Sequence, residues 1–116
     1  MPKRGLGIDV LTAARERISW TFDTFEKIYI SFSAGKDSTV MLHLVMDEAK
    51  KRNRKVGCLM IDWECQIGLT IDFTKRMYEE YADNIIPYWV ALPMKTWNAC
   101  SQFEPEWTAW YNKKND

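Results

Sequence analysis

The sequence has no excess of charge of either sign and no apolar run long enough to cross a bilayer. Its 116 residues carry sixteen basic and sixteen acidic side chains, so no overall field draws the chain to nucleic acid or to a membrane surface. No apolar segment follows the basic residues near the N-terminus, so we expect no signal peptide and a cytoplasmic protein. These absences leave one soluble domain, which is short for a nucleotide-binding α/β unit.

Cysteine is scarce and unpaired. Cys58, Cys65 and Cys100 form no CxxC pair, and no metal-ligand spacing accompanies them. An odd number of such cysteines is typical of free thiols in a reducing compartment. We expect Cys58 to be buried in an apolar strand and the other two to lie near loops.

Repeats and low-complexity linkers are also absent. The basic residues that do cluster, KKRNRK at 50–55, lie between two apolar runs and are interpreted as the solvated end of a helix. Nucleic-acid binding is the less favoured alternative for this cluster. His43, the single histidine, falls within a helical pattern and is expected to pack or to lie on the surface.

The sequence does contain an alternation of helical and extended patterns. Asp9 is placed to cap a helix whose apolar positions repeat at helical spacing as far as Phe25. The segments after it are, in order, strand 27–32, helix 38–51, strand 55–61, helix 68–82 and strand 85–92. Pro87 gives the last strand an edge position or a late start. Apolar strands separated by helices predict a Rossmann-like α/β fold, with a parallel sheet in the order 3-2-1 and helices on both faces.

Ligands of such sheets bind beyond the carboxyl ends of the strands, which here are Ser33, Asp62 and Pro93. The first of these ends opens the segment SAGKDS, which leads directly into a helix. A helix N-terminus attracts phosphate through its unpaired N–H groups. Gly35 would let the backbone approach a ligand or adopt a positive φ, and Lys36 would pair with phosphate as a point charge.

The other side chains of this segment fit the same interpretation. Ser33 and Ser38 offer hydroxyl donors, and Ser38 or Asp37 could cap the helix. An aspartate beside phosphate is explained if it caps the helix or holds Mg²⁺. The alternative without a ligand is an ordinary capped turn between a strand and a helix.

Two common phosphate loops are excluded. Ile30 stands where GxxxxGK[ST] requires its first glycine, Asp37 follows Lys36, and GxGxxG is absent. The pattern that remains, S-x-G-K-D-S between a strand and an apolar helix, resembles the PP-loop, SGGKDS, of the ATP-pyrophosphatase superfamily. Ala34 replaces the first glycine of that loop.

Two longer segments narrow the resemblance. SFSAGKDSTVMLHL and MIDWECQ together resemble the phosphoadenosine phosphosulfate reductase-like branch, and most closely its immunoglobulin-binding regulator A-like members with a DWE-type second motif. Residues 89–110 also resemble the aromatic stretch that follows the third strand in this family. Family members run longer. The resemblance therefore implies that residues 1–116 are the N-terminal portion of a PP-loop domain of the adenine nucleotide alpha hydrolase-like fold, with an incomplete sheet and an aromatic tail over 93–116.

The resemblance implies ATP and Mg²⁺ as cofactors, with roles in sulfur metabolism or nucleic-acid modification. The nucleotide-binding residues that it implies are Ser31, Ser33, Ala34, Gly35, Lys36, Asp37, Ser38 and Asp62. Lys36 and Asp37 would be catalytic, and Asp37 and Asp62 would hold Mg²⁺. Glu64 and Gln66 would face the substrate rim. Relatives often read Asp-Thr-Gly at Asp62, whereas Trp63 and Glu64 follow here, and a helix cap or turn is the alternative role for Asp62.

The implied reaction is nucleotidyl transfer, in which a substrate oxygen attacks the α-phosphorus of ATP and pyrophosphate leaves. One alternative is reduction of phosphoadenosine phosphosulfate, which the absence of the family's Glu-Cys-Gly-Leu-His motif disfavours. The other is a non-catalytic nucleotide- or partner-binding module. This alternative is favoured by an aromatic cluster in the tail: Trp97, Phe103, Trp107, Trp110 and Tyr111. In relatives further strands follow beside the first strand, so we expect another protein chain or self-association at that sheet edge and at the aromatic tail.

Overall fold

A computed structural model describes residues 2–111, in which helices and strands alternate before a final hairpin. The elements are α1 (Val10–Thr24), β1 (Tyr29–Ser31), α2 (Lys36–Arg52), β2 (Val56–Ile61), α3 (Gly68–Glu80), β3 (Ile85–Val90), β4 (Met94–Trp97) and β5 (Glu106–Ala109). The first six agree with the elements expected from the sequence. Residues 112–116 of the aromatic tail lie outside the described residues. Within the described part, no helix is long and apolar enough to cross a membrane.

The sheet is parallel, with β2 between β1 and β3. The predicted strand order 3-2-1 and the Rossmann-like α/β class are therefore confirmed. β3 is an edge strand of this sheet, which suits Pro87 because proline has no N–H to donate to a further strand. Cys58, its partner in the register, lies in the centre of the sheet and is fully buried, as expected.

The core lies on one side of the sheet, between the strands and the helices. Ile30 and Phe32 point to this side from β1 and its end, and they are 3% and 2% exposed. The core is completed by side chains from all three helices, among them Phe22, Leu42, Met46, Ala49 and Met77. Truncating a single large side chain in such a core lowers the free energy of unfolding by about 2–5 kcal/mol. The packing of this layer thus stabilises the sheet, including its carboxyl edge.

The opposite side of the sheet, which we term the uncovered face, differs from the sequence expectation of helices on both faces. Its side chains Tyr29, Ile61, Ile86 and Tyr88 are exposed by 38% to 69%. Both crossovers step in the same direction along the sheet, and right-handed crossovers of that kind place α2 and α3 on the same side. Gly57 lies close under this face, because a Cβ there would stand 3.2 Å from the Cβ of Tyr29.

The N-terminal helix is fixed at both ends. Asp9 caps it as expected, with its Oδ1 accepting the Thr12 N–H at 2.7 Å. At the other end the Arg54 guanidinium donates to three carbonyl oxygens, those of Phe22, Phe25 and Glu26. Arg52 adds contacts with the side chains of Asp23 and Ser19. Two arginines of the basic cluster 50–55 thus fasten α1 to the end of α2.

The hairpin of β4 and β5 is the part of the fold that the sequence patterns did not indicate. Met94 pairs with Ala109 and Trp97 with Glu106 in an antiparallel register. Trp97 and Phe103 are 78% and 89% exposed, so the hairpin presents aromatic surface to solvent. Its β5 end returns toward the carboxyl edge of the parallel sheet.

Candidate functional site

Two short segments lie beside each other at the carboxyl edge of the sheet. We call residues 33–38, which follow β1, the β1 loop, and residues 62–64, which follow β2, the β2 turn. Ser31 pairs with Leu59, and the Phe32 N–H donates to the Leu59 carbonyl at 2.8 Å, so the parallel register brings both segments to the same edge. Ser31 itself lies in β1 and is exposed, while Gln66 is half-buried on the way to α3.

The β1 loop is closed by its own hydrogen bonds. The hydroxyls of Ser33 and Ser38 are 2.9 Å apart, and the Gly35 N–H donates to the Ser33 hydroxyl at 3.3 Å. The Gly35 carbonyl in turn accepts from the Ser38 hydroxyl and from both the N–H and the hydroxyl of Thr39. Side-chain hydroxyls thus shape the loop from within and link it to the first turn of α2.

The backbone strain of the loop falls at Ala34 and not at Gly35. Ala34 has φ +64°, in the left-handed region where a Cβ costs about 1–2 kcal/mol. Gly35 has φ −75° and ψ 168°, an extended conformation that any residue adopts, so of the two alternatives for Gly35 the positive φ does not occur. A Cβ at Gly35 would stand 3.3 Å from the Ser33 hydroxyl, a tight contact that the Ser33 side chain would have to relieve by moving slightly. The residue that replaces the first glycine of the PP-loop is therefore the one that bears the strain.

The N-terminus of α2 has no side-chain cap. Gly35 occupies the capping position, and neither Asp37 nor Ser38 takes that role, contrary to one expectation from the sequence. The first N–H groups of a helix have no acceptor within the helix, so those of Lys36, Asp37 and Ser38 remain available. They lie in the positive field at the start of a 17-residue helix. This end of α2 is thus suited to binding an anion.

Two charged side chains stand in front of this helix end. The Lys36 Nζ lies 3.2 Å from the Asp37 Oδ1, and the two side chains are 91% and 93% exposed. An ion pair with that exposure contributes little to stability, about 0–1 kcal/mol. Lys36 can therefore turn to an incoming anion without leaving a buried partner uncompensated.

The β2 turn is built in the opposite way, around a buried carboxylate. Asp62 is 8% exposed, and its Oδ1 accepts the Glu64 N–H at 2.9 Å. Its Oδ2 accepts the indole N–H of Trp89 from β3, also at 2.9 Å. Each carboxylate oxygen has two acceptor positions, so one position on each oxygen is left for a further ligand.

Trp110 joins the hairpin to the same turn. Its indole N–H donates to the Asp62 carbonyl at 2.7 Å, and its backbone N–H donates to the Glu64 carboxylate. Glu64 has φ +68°, a strained value for a residue with a side chain. The bond from the Trp110 backbone N–H occupies one oxygen of the Glu64 carboxylate. Glu64 is the residue that the family resemblance assigned to the substrate rim.

Sequence reasoning missed Trp89 and Trp110 as parts of the site. Trp89 carries a weak signal, because it lies near the carboxyl end of a strand, where a half-buried indole N–H needs a polar partner. Trp110 carries none, since its contact with Asp62 depends on the path of the hairpin. The expectation of a turn role for Asp62 agrees with its bond to Glu64, and its role toward a nucleotide stays a prediction.

The acidic residues fit a magnesium ion only in company with a ligand. Within residues 2–111 no three His, Cys, Asp or Glu side chains gather into a metal site. Mg²⁺ commonly uses one or two carboxylates and takes its other ligands from phosphates and water. Asp62, with its two remaining acceptor positions, suits that mode.

His43 lies outside this edge and packs between helices. Its Nδ1 is hydrogen-bonded to the hydroxyl of Tyr81, and the two rings meet edge-on at 5.6 Å. Burial raises the pKa of Tyr81, so this phenol stays protonated at neutral pH. The expected packing role of His43 is confirmed.

Comparisons with known proteins agree with this geometry. A family model described as the phosphoadenosine phosphosulfate reductase domain matches residues 27–115, which include the sheet, the β1 loop and the β2 turn. The chain is also similar to the uncharacterized protein YbdN of Escherichia coli strain K12, with 47% identity over 106 residues. That match covers 90% of the chain but 26% of YbdN, so the chain spans about a quarter of this relative.

Proposed function

Because the chain belongs to the phosphoadenosine phosphosulfate reductase domain family, we propose that its β1 loop binds the phosphates of an adenylyl nucleotide, with ATP as the first candidate. The observation that carries the proposal is the uncapped N-terminus of α2, which follows directly from a loop of PP-loop sequence. Glycine is an accepted capping residue that costs only a few tenths of a kcal/mol relative to serine or aspartate, and here Ser38 bonds the Gly35 carbonyl. The helix N–H groups therefore have no side-chain acceptor and are suited to an anion.

Each residue of the loop has a role in this proposal. The N–H groups of residues 36–38 bind phosphate oxygens, and Ser33 and Ser38 keep the loop in shape. Lys36 pairs with the phosphates as they gain charge, and Asp62 with Asp37 holds Mg²⁺, which neutralises charge on the phosphates when it is bound. Nucleotidyl transfer needs little else from side chains, because the attack on the α-phosphorus is favoured mainly by stabilising the pyrophosphate that leaves.

The proposed reaction is adenylylation of an acceptor with release of pyrophosphate. The acceptor would enter at the carboxyl edge of the sheet, beside Asp62, Glu64 and Gln66. Reduction of phosphoadenosine phosphosulfate is the alternative within the family. Exchange of labelled pyrophosphate into ATP would support adenylylation, and release of sulfite from phosphoadenosine phosphosulfate would support the reductase. Nucleotide binding with neither reaction would favour a non-catalytic module.

The binding proposal is tested by the effect of ATP on unfolding. ATP with Mg²⁺ should raise the free energy of unfolding by about 2.7 kcal/mol at a hundredfold excess over the dissociation constant. Lys36→Ala should remove most of that increase and leave the unliganded stability within about 0.5 kcal/mol, because Lys36 is exposed. Calorimetric titration with ATP would give the same comparison as an affinity.

Lys51→Ala is the matched control, because Lys51 is an exposed lysine at the other end of the same helix. Its ATP response should equal that of the unmodified chain. An ATP response that persists in Lys36→Ala, or one that falls equally in both variants, would refute binding at the β1 loop.

The proposal also covers the association of this chain with other protein chains and its compartment in the cell. β1 is an edge strand of the described sheet, and Trp97 and Phe103 are exposed on the hairpin, which supports a partner chain or self-association at these surfaces. A monomer that persists at high concentration in light scattering would contradict self-association. Cys65 and Cys100 are exposed and free, which supports a reducing compartment such as the cytoplasm.

A further inference from the structure

We infer that Trp89 and Glu64 are positioning residues for the Asp62 carboxylate, and that Trp110 extends their action to the hairpin. We call these four residues the Asp62 network. The inference rests on the proposed function, because it assigns Asp62 to the metal that accompanies the nucleotide. It adds residues from three separate segments to that site.

The first step is the orientation of Asp62. One carboxylate oxygen accepts the Glu64 N–H and the other accepts the Trp89 indole, both at 2.9 Å, so the plane of the carboxylate is fixed from two sides. Donors of this kind behind a metal-binding carboxylate commonly change metal affinity by about 10- to 100-fold when they are removed. The network leaves one acceptor position on each oxygen, which is what a shared metal ligand needs.

The second step is the cost of holding Glu64 in place. Its backbone is strained at φ +68°, and that conformation directs its N–H to Asp62. The Glu64 carboxylate accepts the backbone N–H of Trp110, a contact across 46 positions of sequence. The hairpin thus supports the strained residue that orients Asp62, and this gives β4 and β5 a role at the site.

The third step separates positioning from mere packing. Trp89 also packs edge-on against Tyr78, with ring centroids 6.1 Å apart. Trp89→Phe keeps an aromatic ring at this place, while it removes the N–H that reaches Asp62 together with part of the indole. The packing against Tyr78 would therefore be kept in part, whereas the bond to Asp62 would be lost.

The experiment is calorimetric titration of ATP in the presence of Mg²⁺ and, separately, in EDTA. In Trp89→Phe we expect the affinity in EDTA to be unchanged and the gain from Mg²⁺ to fall about tenfold. Trp97→Phe is the matched control, because its indole is exposed on the hairpin, and it should keep the full gain. Circular dichroism would confirm that both variants are folded.

A second pair of variants covers the case in which Trp89→Phe does not fold. Glu64→Gln retains an oxygen that can accept the Trp110 N–H, so it should keep more of the Mg²⁺ gain than Glu64→Ala. Equal losses in these two variants would overturn a positioning role for Glu64 and indicate that its charge acts directly.

The outcomes distinguish this inference from the proposed function. Lys36-dependent ATP binding with a full Mg²⁺ gain in Trp89→Phe would overturn the inference and leave the proposed function in place. ATP binding without any gain from Mg²⁺ would overturn the inference and the magnesium role in the proposed function, and would leave nucleotide binding at the β1 loop in place. Absence of ATP binding by the unmodified chain would overturn both.

Discussion

The β1 loop and the β2 turn stand side by side at the carboxyl edge of the sheet, but their hydrogen bonds reach different distances along the chain. Side-chain bonds in the loop join residues at most five positions apart, such as Ser33 and Ser38. The turn has one local bond, from the Glu64 N–H to Asp62, and three others that connect it with residues 27 to 48 positions away, in β3 and after β5. The loop is therefore encoded locally and left open to solvent, whereas the turn depends on the finished fold and is partly closed.

The largest difference between the two segments should appear when Asp62 is removed. Asp62→Ala leaves the Trp89 indole and the Glu64 N–H without their acceptor, and a buried unsatisfied donor costs about 1–3 kcal/mol. We expect a loss of about 2–3 kcal/mol in urea denaturation. Asp62→Asn retains one acceptor oxygen and should lose less. If Asp62→Ala lowers the free energy of unfolding by less than about 1 kcal/mol, the stability of the β2 turn depends on its side chains no more than that of the β1 loop.

Removing the Glu64 carboxylate should act on the hairpin more than on the sheet. Glu64→Ala loses the bond to the Trp110 N–H, with an expected cost of about 1 kcal/mol. Amide hydrogen exchange should quicken in β4 and β5 and stay nearly constant in β2. Uniformly faster exchange in all strands would contradict a local link between turn and hairpin.

A substitution at Ala34, the strained residue of the loop, should raise the stability of the chain. Ala34→Gly removes a strain of about 1–2 kcal/mol but adds about 0.4–1 kcal/mol of chain entropy in the unfolded state. We expect a net stabilisation of about 0.5–1 kcal/mol by urea denaturation. The stability of Gly35→Ala is the matched comparison, because this change at the neighbouring position adds no polar group. Its φ of −75° is permitted, and it should not stabilise the fold.

The smallest effect is expected at the exposed acid of the loop. Asp37→Ala removes neither a helix cap nor a buried contact, since Gly35 occupies the capping position and the Asp37 side chain is 93% exposed. The free energy of unfolding should change by less than about 0.5 kcal/mol. A loss of about 1 kcal/mol would indicate that Asp37 caps α2 in solution.

The same contrast explains how far the sequence could predict the structure. Apolar strands and amphipathic helices predicted the parallel sheet and its order, because these patterns act over neighbouring residues. The predicted order with right-handed crossovers already places α2 and α3 on one side of the sheet, so the expectation of helices on both faces did not follow from that order. The hairpin was missed because β4 and β5 have only four residues each, too few for a clear strand pattern.

The candidate site was predicted to the same extent. Ser33 to Ser38 were found because their chemistry lies in one continuous motif. A positive φ was one of two alternatives for Gly35, because glycine is the usual residue in that conformation, but the left-handed residue of the loop is Ala34. Trp89 and Trp110 could not be assigned, because their partner is brought to them by the register of the sheet and the return of the hairpin.

The arginine contacts at the end of α1 have a consequence for synthesis of the chain. Arg54, which binds the carbonyl of Phe25, is added 29 residues after it. At 5–20 residues per second, α1 leaves the ribosome roughly 1.5 to 6 s before its anchor exists. A 15-residue helix is marginally stable alone, so its apolar side remains open to chaperones during that interval. Helix α1 is thus secured only once the end of α2 has been made.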